Sequence, residues 1–463
     1  MGSSPTFRTF FLTSLMIKKK RILLVNPWIY DFTAYDFWLR PLGLLCLASL
    51  LQKIPHCELF FLDCLDRFHP ALGPRVRVKE DGRGPFPKEE VPKPDVLRDI
   101  PRKFSRYGLP PEVVRQELKR LPLPDAVMIS CVMTYWYPGV QTIVELIRQE
   151  LGSVPIVLGG IYATLLPEHA RRYSGADLVV EGAAELKLES LWEQLWGEKI
   201  DEFLEKATRK DFSFPWYSLL RNRDVLPVET SRGCPYHCSF CASRKLNPEF
   251  HQKEVSEVVN FLETSHQQFG NRHFVFYDDA LLVNKELHLK AILREIIRRQ
   301  LKVAFHTPNG LHVREIDPEL ASLFSRAGFR SLFLSQESFD AKILQRCSRK
   351  SSPEALARAL AALQSAGYAR DEINVYLLVG LPGQEAASVR RSIQEVKKMG
   401  ARPRLAFFSP VPGTQEWSVL VQAGYLSPEA DPLLHNKILF PYLWSSISPE
   451  ELNELKHLAL PNT

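Results

Sequence analysis

The chain has 463 residues, of which 45% are hydrophobic and 24% are charged, an ordinary globular composition that is too long for a single core. Its 59 basic and 53 acidic residues give a net charge of +6, too small and too mixed in sign to indicate a nucleic-acid-binding surface. No apolar run reaches the ~18 residues that a membrane span needs. Residues 1–17 lack a signal-peptide cleavage site and are predicted to be a disordered leader, and the scattered cysteines favour a reducing, cytoplasmic location.

The first half alternates apolar runs with helical patterns, which indicates a parallel sheet covered by helices. Strands are predicted at residues 21–27, 57–63, 126–130, 155–158 and 176–180, and helices at 44–52, at 137–151, from Pro167 and at 185–196. The roughly five strands predict a doubly wound, Rossmann-like α/β domain over residues 18–196. Residues 66–124 are polar and rich in Pro and Gly, which predicts a long insertion that is either functional or disordered.

Ligands of doubly wound sheets bind beyond the carboxyl ends of the strands. Here those ends carry Asn26, residues 131–134, the pair Gly159-Gly160 and the pair Glu181-Gly182. Glycines at such positions let a flat ligand approach the backbone, so this edge is a candidate ligand site. Tight turns between strands and helices, with no ligand, would explain the same glycines.

Residues 197–226 are predicted to link this half to a second alternation over residues 227–415. Its strands are predicted at residues 228–230, 273–277, 302–306, 331–335, 373–379 and 404–408, and its helices at 254–269, 285–299, 318–328, 353–367 and 387–399. Six such units predict an open, partial (β/α)6 barrel, whose active residues gather at the carboxyl ends of its strands. Residues 416–463 are predicted to be a helical tail that packs under or across the barrel mouth.

Three cysteines, Cys234, Cys238 and Cys241, occupy one short loop directly after the first barrel strand. Three thiolates on one loop can bind three irons of a four-iron cluster and leave the fourth iron open to a substrate or cofactor. A zinc site would need a fourth Cys or His ligand, and the only near candidate, His237, lies strained inside the loop. A zinc or redox loop is the alternative interpretation.

This Cys-x3-Cys-x2-Cys loop, with the aromatic Phe240 before its last cysteine, resembles the cluster loop of the radical S-adenosylmethionine (SAM) enzymes. The resemblance covers residues from about 20 to 415 and implies the partial barrel of that family. It implies a 4Fe-4S cluster whose open iron is chelated by SAM. One electron, delivered by an external donor of the flavodoxin or ferredoxin type, then cleaves SAM into methionine and a 5′-deoxyadenosyl radical.

The resemblance also implies SAM contacts at the ends of successive barrel strands. The candidates are Phe240, Asp278, Asp279, Asn309, Glu337, Gly380 and Gly383. The aromatic ring and the glycine turn are expected near the adenine. The aspartates are expected at the amino group because a carboxylate forms charge-assisted hydrogen bonds with an ammonium, and the remaining two side chains at the ribose or carboxylate. Solvated aspartates and a plain glycine turn are the alternatives.

The first half resembles the cobalamin-binding domain that precedes many radical SAM barrels. The matching residues are Asn26-Pro27, residues 41–44, Gly159-Gly160 and Glu181-Gly182. Cobalamin is therefore an implied cofactor, with candidate contacts at Asn26, Thr134, Gly159, Gly160, Glu181 and Gly182. The Asp-x-His-x-x-Gly motif that supplies a cobalt ligand in other cobalamin proteins is absent. Family members without it either bind the corrin with no lower protein ligand or have lost the cofactor.

These patterns predict a radical SAM enzyme that acts on an unidentified small-molecule substrate and, with cobalamin bound, transfers a methyl group. One alternative is a radical SAM enzyme whose first domain is an empty scaffold and which rearranges, oxidises or modifies tRNA. Another is a non-catalytic iron-sulfur sensor or electron carrier. Six aromatic residues are predicted to line either a substrate cavity or a packed domain interface: Trp28, Tyr30, Tyr35, Tyr135, Trp136 and Tyr137.

Overall fold

The computed structural model describes residues 19–74, 76–200, 212–347, 351–370 and 372–461. The leader predicted over residues 1–17 lies outside these ranges, and so do residues 201–211 of the predicted linker. The domain boundaries given above stay predictions.

The first half contains a five-stranded parallel sheet. Its strands and those of a smaller sheet are, in chain order, β1 (Lys20–Asn26), β2 (Ile29–Asp31), β3 (Cys57–Asp63), β4 (Lys88–Glu90), β5 (Ser105–Tyr107), β6 (Ala126–Ser130), β7 (Ile156–Gly159) and β8 (Leu178–Val179). The strand order β3-β1-β6-β7-β8 is that of a doubly wound sheet. This order confirms the predicted fold of the first half. The prediction succeeded because strands buried on both faces, such as residues 22–25, are uninterrupted apolar runs.

Helices cover both faces of this sheet. They are α1 (Leu42–Leu51), α2 (Pro111–Arg120), α3 (Tyr137–Leu151), α4 (Gly160–Leu165), α5 (Pro167–Tyr173) and α6 (Leu188–Trp196). Helix α1 is apolar on nearly every side and is buried except at Gly43 and Ser49. A helix with this pattern lies inside the molecule, between the sheet and the second half.

The predicted insertion, residues 66–124, forms regular structure. Strands β2, β4 and β5 make a three-stranded antiparallel sheet, and α2 packs beside α3. Strand β4 consists of Lys-Glu-Glu, is exposed along its length and has no apolar pattern that predicts a strand.

The second half contains the six parallel strands of the partial barrel. Its strands are β9 (Val225–Val228), β10 (Ser231–Arg232), β11 (His251–Gln252), β12 (His273–Phe276), β13 (Ala304–His306), β14 (Leu311–His312), β15 (Phe329–Glu337), β16 (Ile373–Val379) and β17 (Arg402–Phe407). The barrel order is β17-β16-β15-β13-β12-β9, and β14 pairs with β15 beside this path. These are the six predicted strands, shifted by one to three residues at several ends, so the barrel prediction is confirmed.

Helices follow the barrel strands and continue into the tail. They are α7 (Ser243–Leu246), α8 (Val255–Phe269), α9 (Leu289–Arg298), α10 (Pro318–Ala327), α11 (Ala341–Cys347), α12 (Pro353–Ser365), α13 (Ala386–Lys398), α14 (Gln415–Gln422), α15 (Phe440–Leu443) and α16 (Pro449–Ala459). Several begin at a capping side chain followed by proline. In α10, for example, the Asp317 carboxylate accepts a hydrogen bond from the Leu320 amide at 2.8 Å.

Two aromatic residues of the first half, Phe37 and Trp38, fill the interior of the barrel; we call them the aromatic plug. Side chains alternate between the two faces of a strand, and Val225, Val275 and Phe333 point away from the outer helices and pack around Trp38. The Phe37 ring meets the Phe333 ring edge to face at 5.4 Å. A six-stranded barrel is open on one side, and the plug closes it from within.

Candidate active site

A cleft of about 1790 Å³ lies between the carboxyl edge of the first sheet and the mouth of the barrel. Gly43 of α1 and the strand ends at Ser130 and Gly159 form its first wall, and Asp279 and Asn309 belong to the opposite wall. The two ligand-binding edges that the sequence predicted therefore face one shared space.

Three glycines of the first wall, Gly43, Gly159 and Gly182, leave the backbone bare toward the cleft. A Cβ atom at Gly43 or Gly182 would have no heavy atom within 4 Å, and one at Gly159 would meet only the Val180 carbonyl oxygen at 3.9 Å. Glycine in a helix interior costs about 0.5–1 kcal/mol relative to alanine. Gly43 lies in the first turn of α1, where this figure is an upper limit, and no packing contact accounts for it. This cradle, which Cβ atoms would fill, fits a large flat ring.

A positive φ is a further reason for glycine at Gly182, where φ is +73°, and at Gly160. The φ of Gly160 is +90°, and a Cβ there would lie 2.9 Å from the Cys131 amide nitrogen and 2.7 Å from the Cys131 carbonyl oxygen. The turn between β7 and α4 therefore excludes side chains whether or not a ligand binds.

The other candidate cobalamin contacts have partners within the protein. The Asn26 amide donates to the Asp63 carboxylate at 2.7 Å and so joins the ends of β1 and β3. Asn26 also lines a small cavity at the point where the strand order reverses. Thr134 is buried, with its hydroxyl 3.0 Å from His435 Nδ1, and Glu181 pairs with Arg171. The cofactor contacts assigned to these residues stay predictions.

The cysteine loop runs from the protein interior to the surface. Cys234 is buried, Cys238 is half-buried and Cys241 is exposed. Gly233, which precedes the loop, has a φ of +84°, and a Cβ there would lie 2.2 Å from the Glu249 carbonyl oxygen, so only glycine fits the turn. The Cys241 amide donates to the Cys238 carbonyl at 3.1 Å, which turns the last two cysteines toward each other.

The Ser243 amide at the start of α7 donates a hydrogen bond to Cys241 Sγ at 3.4 Å. Such a donor stabilises negative charge on a thiolate or cluster sulfur. Over the described ranges no three His, Cys, Asp or Glu side chains surround a point where a single metal ion fits. The thiolates of a four-iron cluster each bind a different iron and need not converge on one point.

The two predicted SAM aspartates face different surroundings. Asp278 is buried and accepts hydrogen bonds from the amides and hydroxyls of Thr230 and Ser231 at 2.6–3.2 Å. Burial raises the pKa of Asp278, and these hydrogen bonds oppose the rise. Asp278 thereby fixes the strand that leads into the cysteine loop. Asp279 is exposed and lines the cleft.

A small cavity lies between the cysteine loop and the ends of β12 and β14. Tyr236 of the loop stacks on His312 there, with ring centres 4.6 Å apart. Asp279 and Asn309 line both this cavity and the cleft. The Asn309 amide donates to the Tyr277 carbonyl at 2.8 Å, which fixes its orientation. The small cavity therefore adjoins the cleft at Asp279 and Asn309.

The remaining candidate SAM contacts lie at other strand ends. Glu337 ends β15 at a bulge and has a φ of +64°, a strained conformation that costs about 1–3 kcal/mol and concentrates at functional sites. Gly380 has a packing reason, because a Cβ there would lie 2.6 Å from the Phe440 ring of the tail. Gly383 is exposed, and Phe240 is half-buried against the core. Their predicted SAM contacts stay predictions.

The cleft also contains a group of ion-paired residues that was not predicted from the sequence. Arg232, two residues before Cys234, pairs with Glu229 and with Glu185 of the first half, each at 3.0 Å. All three line the cleft, and burial raises the pKa of Glu229 to about 7. The available signal was two opposite charges three residues apart at the end of an apolar strand. The third member, Glu185, lies in the first half and meets Arg232 only in the folded chain.

Several of the predicted cavity aromatics pack within the protein. The buried Trp28 indole donates to the Leu109 carbonyl at 2.7 Å, and the Trp136 indole donates to the Asp31 carboxylate at 2.8 Å. Tyr137 donates to Asp431 of the tail at 3.1 Å. Trp28 and Trp136 therefore pack within the first half, and Tyr137 is the one of these three that contacts the tail.

Comparisons with known proteins agree with this geometry. Residues 228–396 match the model of the Radical SAM superfamily, and residues 106–191 match that of the B12 binding domain. An uncharacterized methyltransferase of Pyrococcus horikoshii is 24% identical over 64% of this chain and 70% of its own length. The cytidylyl-2-hydroxyethylphosphonate methyltransferase of Streptomyces wedmorensis is 20% identical over 94% of this chain and 88% of its own.

Among solved structures, the radical S-adenosylmethionine methyltransferase TsrM of Kitasatospora setae, with tryptophan and a SAM analogue bound, aligns with a TM-score of 0.66. The alignment covers 96% of this chain and 89% of that one at 16% identity, which shows a shared fold. Within the described ranges, none of the helices has the length and apolarity needed to cross a membrane.

Proposed function

We propose that this chain, a radical SAM enzyme with a B12-binding domain ahead of its barrel, methylates a carbon atom of a small molecule held in the cleft between its halves. The cleft itself carries the proposal, because Gly43, Gly159 and Gly182 on one wall face Asp279 and Asn309 on the other. A transferable group on one wall and a radical source on the other need a substrate between them, with reacting atoms about 3–3.5 Å apart. Both curated relatives named above carry the names of methyltransferases.

The residues present fit the implied cofactors. Cys234, Cys238 and Cys241 would hold the 4Fe-4S cluster, Asp279 the amino group of SAM, and the bare backbone at Gly43 and Gly182 the corrin ring. When bound, these groups supply one-electron cleavage of SAM and a methyl group for transfer. The chain's own task is to hold the substrate carbon between the walls and to keep water away from it.

Residues around the cleft supply the exclusion of water and the fixed geometry. The Arg232–Glu185 ion pair joins the halves at 3.0 Å, with side chains 15% and 9% exposed. The aromatic plug closes the barrel interior below the cleft, so a substrate approaches from the open side of the cleft. Cys241 lies at the surface, which gives an external electron donor of the flavodoxin or ferredoxin type access to the cluster loop.

Anaerobic reconstitution with iron, sulfide and hydroxocobalamin tests the proposal. We expect a corrin absorbance that stays with the protein on gel filtration, about four irons per chain, and 5′-deoxyadenosine from SAM after chemical reduction. Deuterated methyl-SAM then identifies the product in cell extract by its added mass. A protein that carries the cluster and still yields no 5′-deoxyadenosine would refute the radical chemistry, and one that never retains cobalt would refute the methyl transfer alone.

A further inference from the structure

Ser239, which directly follows Cys238 in the cysteine loop, makes three hydrogen bonds to residues outside the loop. Its amide donates to the Cys347 carbonyl at 2.9 Å, and its carbonyl accepts from the Glu416 amide at 3.1 Å. Its hydroxyl donates to Glu416 Oε1 at 2.8 Å. Two of these three bonds come from one residue, Glu416, which lies 177 positions further along the chain.

Glu416 is the second residue of α14, where the first-turn amides have no acceptor within the helix. Its amide is therefore available to Ser239. Its carboxylate is 0% exposed, and Oε1 also lies 3.1 Å from Nε of Arg346. Its second oxygen, Oε2, is buried with no hydrogen-bond partner among the described residues.

Even when it is paired, as with Arg346 here, a buried carboxylate often stabilises a fold no more than a well-packed apolar side chain would. The tail also has anchors elsewhere, since Phe440 packs on Gly380 and Glu454 pairs with Arg390. Attachment of the tail therefore does not account for Glu416, whereas the hydrogen bond from the Ser239 hydroxyl to its carboxylate does. The bond from its amide would remain with any residue except proline.

We propose that Glu416 is a positioning residue of the cluster site. Through Ser239 it fixes the segment between Cys238 and Cys241, so that the three sulfurs are already arranged when iron binds. Helix α14 thereby belongs to the cluster site, although it lies outside the barrel strands. The inference rests on the proposed cluster chemistry.

Four variants test the inference: Ser239→Ala, Glu416→Ala, the double variant, and Glu416→Gln, which keeps an oxygen acceptor for Ser239. Glu454→Gln is the matched control, because it removes a tail carboxylate from an exposed ion pair with Arg390. Hydrogen exchange of residues 237–243 is measured before reconstitution. The rate of iron loss to a chelator and the EPR spectrum of the reduced cluster are measured after it.

We expect both alanine variants to lose iron on the order of tenfold faster than wild type, as the loss of a hydrogen bond to a charged group predicts, and to exchange faster over residues 237–243. The double variant should lose iron no faster than the worse single variant, because both substitutions remove the same Ser239–Glu416 hydrogen bond. Glu416→Gln should restore retention to within about threefold, with an altered EPR spectrum. The control should match wild type.

Additive effects in the double variant, or alanine variants with wild-type exchange and iron retention, would overturn the inference. Exchange is measured without iron, so the contact is tested even if wild type takes up no cluster. A wild-type protein that takes up no cluster would contradict the proposed function. The hydrogen-exchange rates would then decide whether Glu416 orders the cysteine loop.

Discussion

Substitution of Gly43 should separate the stability of the fold from the binding of cobalamin. Gly43 is the exposed position of an otherwise buried helix, it lines the cleft, and a Cβ there meets no atom within 4 Å. In Gly43→Ala the first turn of the helix gains at most about 0.5–1 kcal/mol of intrinsic propensity, which for a chain of this length raises the melting temperature by at most about 1 °C. In Gly43→Leu the larger side chain projects into the space that we assign to the corrin.

Overpacking of a fitted site costs about 1–3 kcal/mol. Cobalamin affinity in Gly43→Leu should therefore fall about 5- to 150-fold, while the melting temperature of the cofactor-free protein does not fall. Anaerobic titration with hydroxocobalamin measures the affinity, and differential scanning fluorimetry measures the melting temperature. Ser49→Ala, on the same helix but away from the cleft lining, is the control and should leave the affinity unchanged. Wild-type affinity in Gly43→Leu would refute the placement of the corrin against α1.

Three further substitutions probe the cluster loop, the ion-pair group and the plug. Cys238→Ser should reduce reconstituted iron from about four to less than about one per chain, whereas Cys347→Ala should keep the cluster, because burial raises the pKa of Cys347 to about 12 and keeps it a thiol. Burial raises the pKa of Glu229 to about 7 from 4.5. Between pH 4.5 and about 7 the folded protein therefore keeps Glu229 protonated while the unfolded chain does not, and the free energy of unfolding falls as the pH rises through this range. The pKa difference corresponds to a loss of ~3 kcal/mol in the free energy of unfolding between pH 4 and pH 8, at 1.36 kcal/mol per pKa unit. Glu229→Gln should remove this loss, which urea unfolding at the two pH values measures. An unchanged pH dependence would contradict the prediction. Trp38→Ala should lower the free energy of unfolding by about 3–5 kcal/mol, and the exposed Tyr35→Ala should not; equal effects would argue against the plug.

The architecture was accessible from the sequence because parallel strands buried on both faces read as uninterrupted apolar runs. Residues 22–25 and 373–379 were recognised in this way, and the helices between such runs carry capping residues and prolines at their starts. The exposed strand at residues 88–90 has no such pattern. It forms only because the neighbouring strand offers backbone partners.

The candidate site was accessible only in part. Spacing identified the three cysteines, but it did not distinguish Asp278, buried under Thr230, from Asp279, exposed in the cleft. Beyond a strand end, the directions of two neighbouring side chains depend on how the backbone turns, and the sequence does not specify that turn. Contacts between distant positions, such as Thr134 with His435 across 301 positions, have no local signal at all.

Contacts between the two halves bear on how the cleft works. The Tyr277 hydroxyl of the barrel donates to the Trp38 carbonyl, Arg232 pairs with Glu185, and the Asn436 amide of the tail donates to the buried Asp31 carboxylate at 2.9 Å. Opening the cleft as a hinge would break all three and expose the Trp38 ring, and each buried polar group left unsatisfied costs about 1–3 kcal/mol. The halves are therefore held at one separation. A reaction between groups bound on opposite walls requires such a fixed distance, because a displacement of about 1 Å is enough to slow it on the order of a hundredfold.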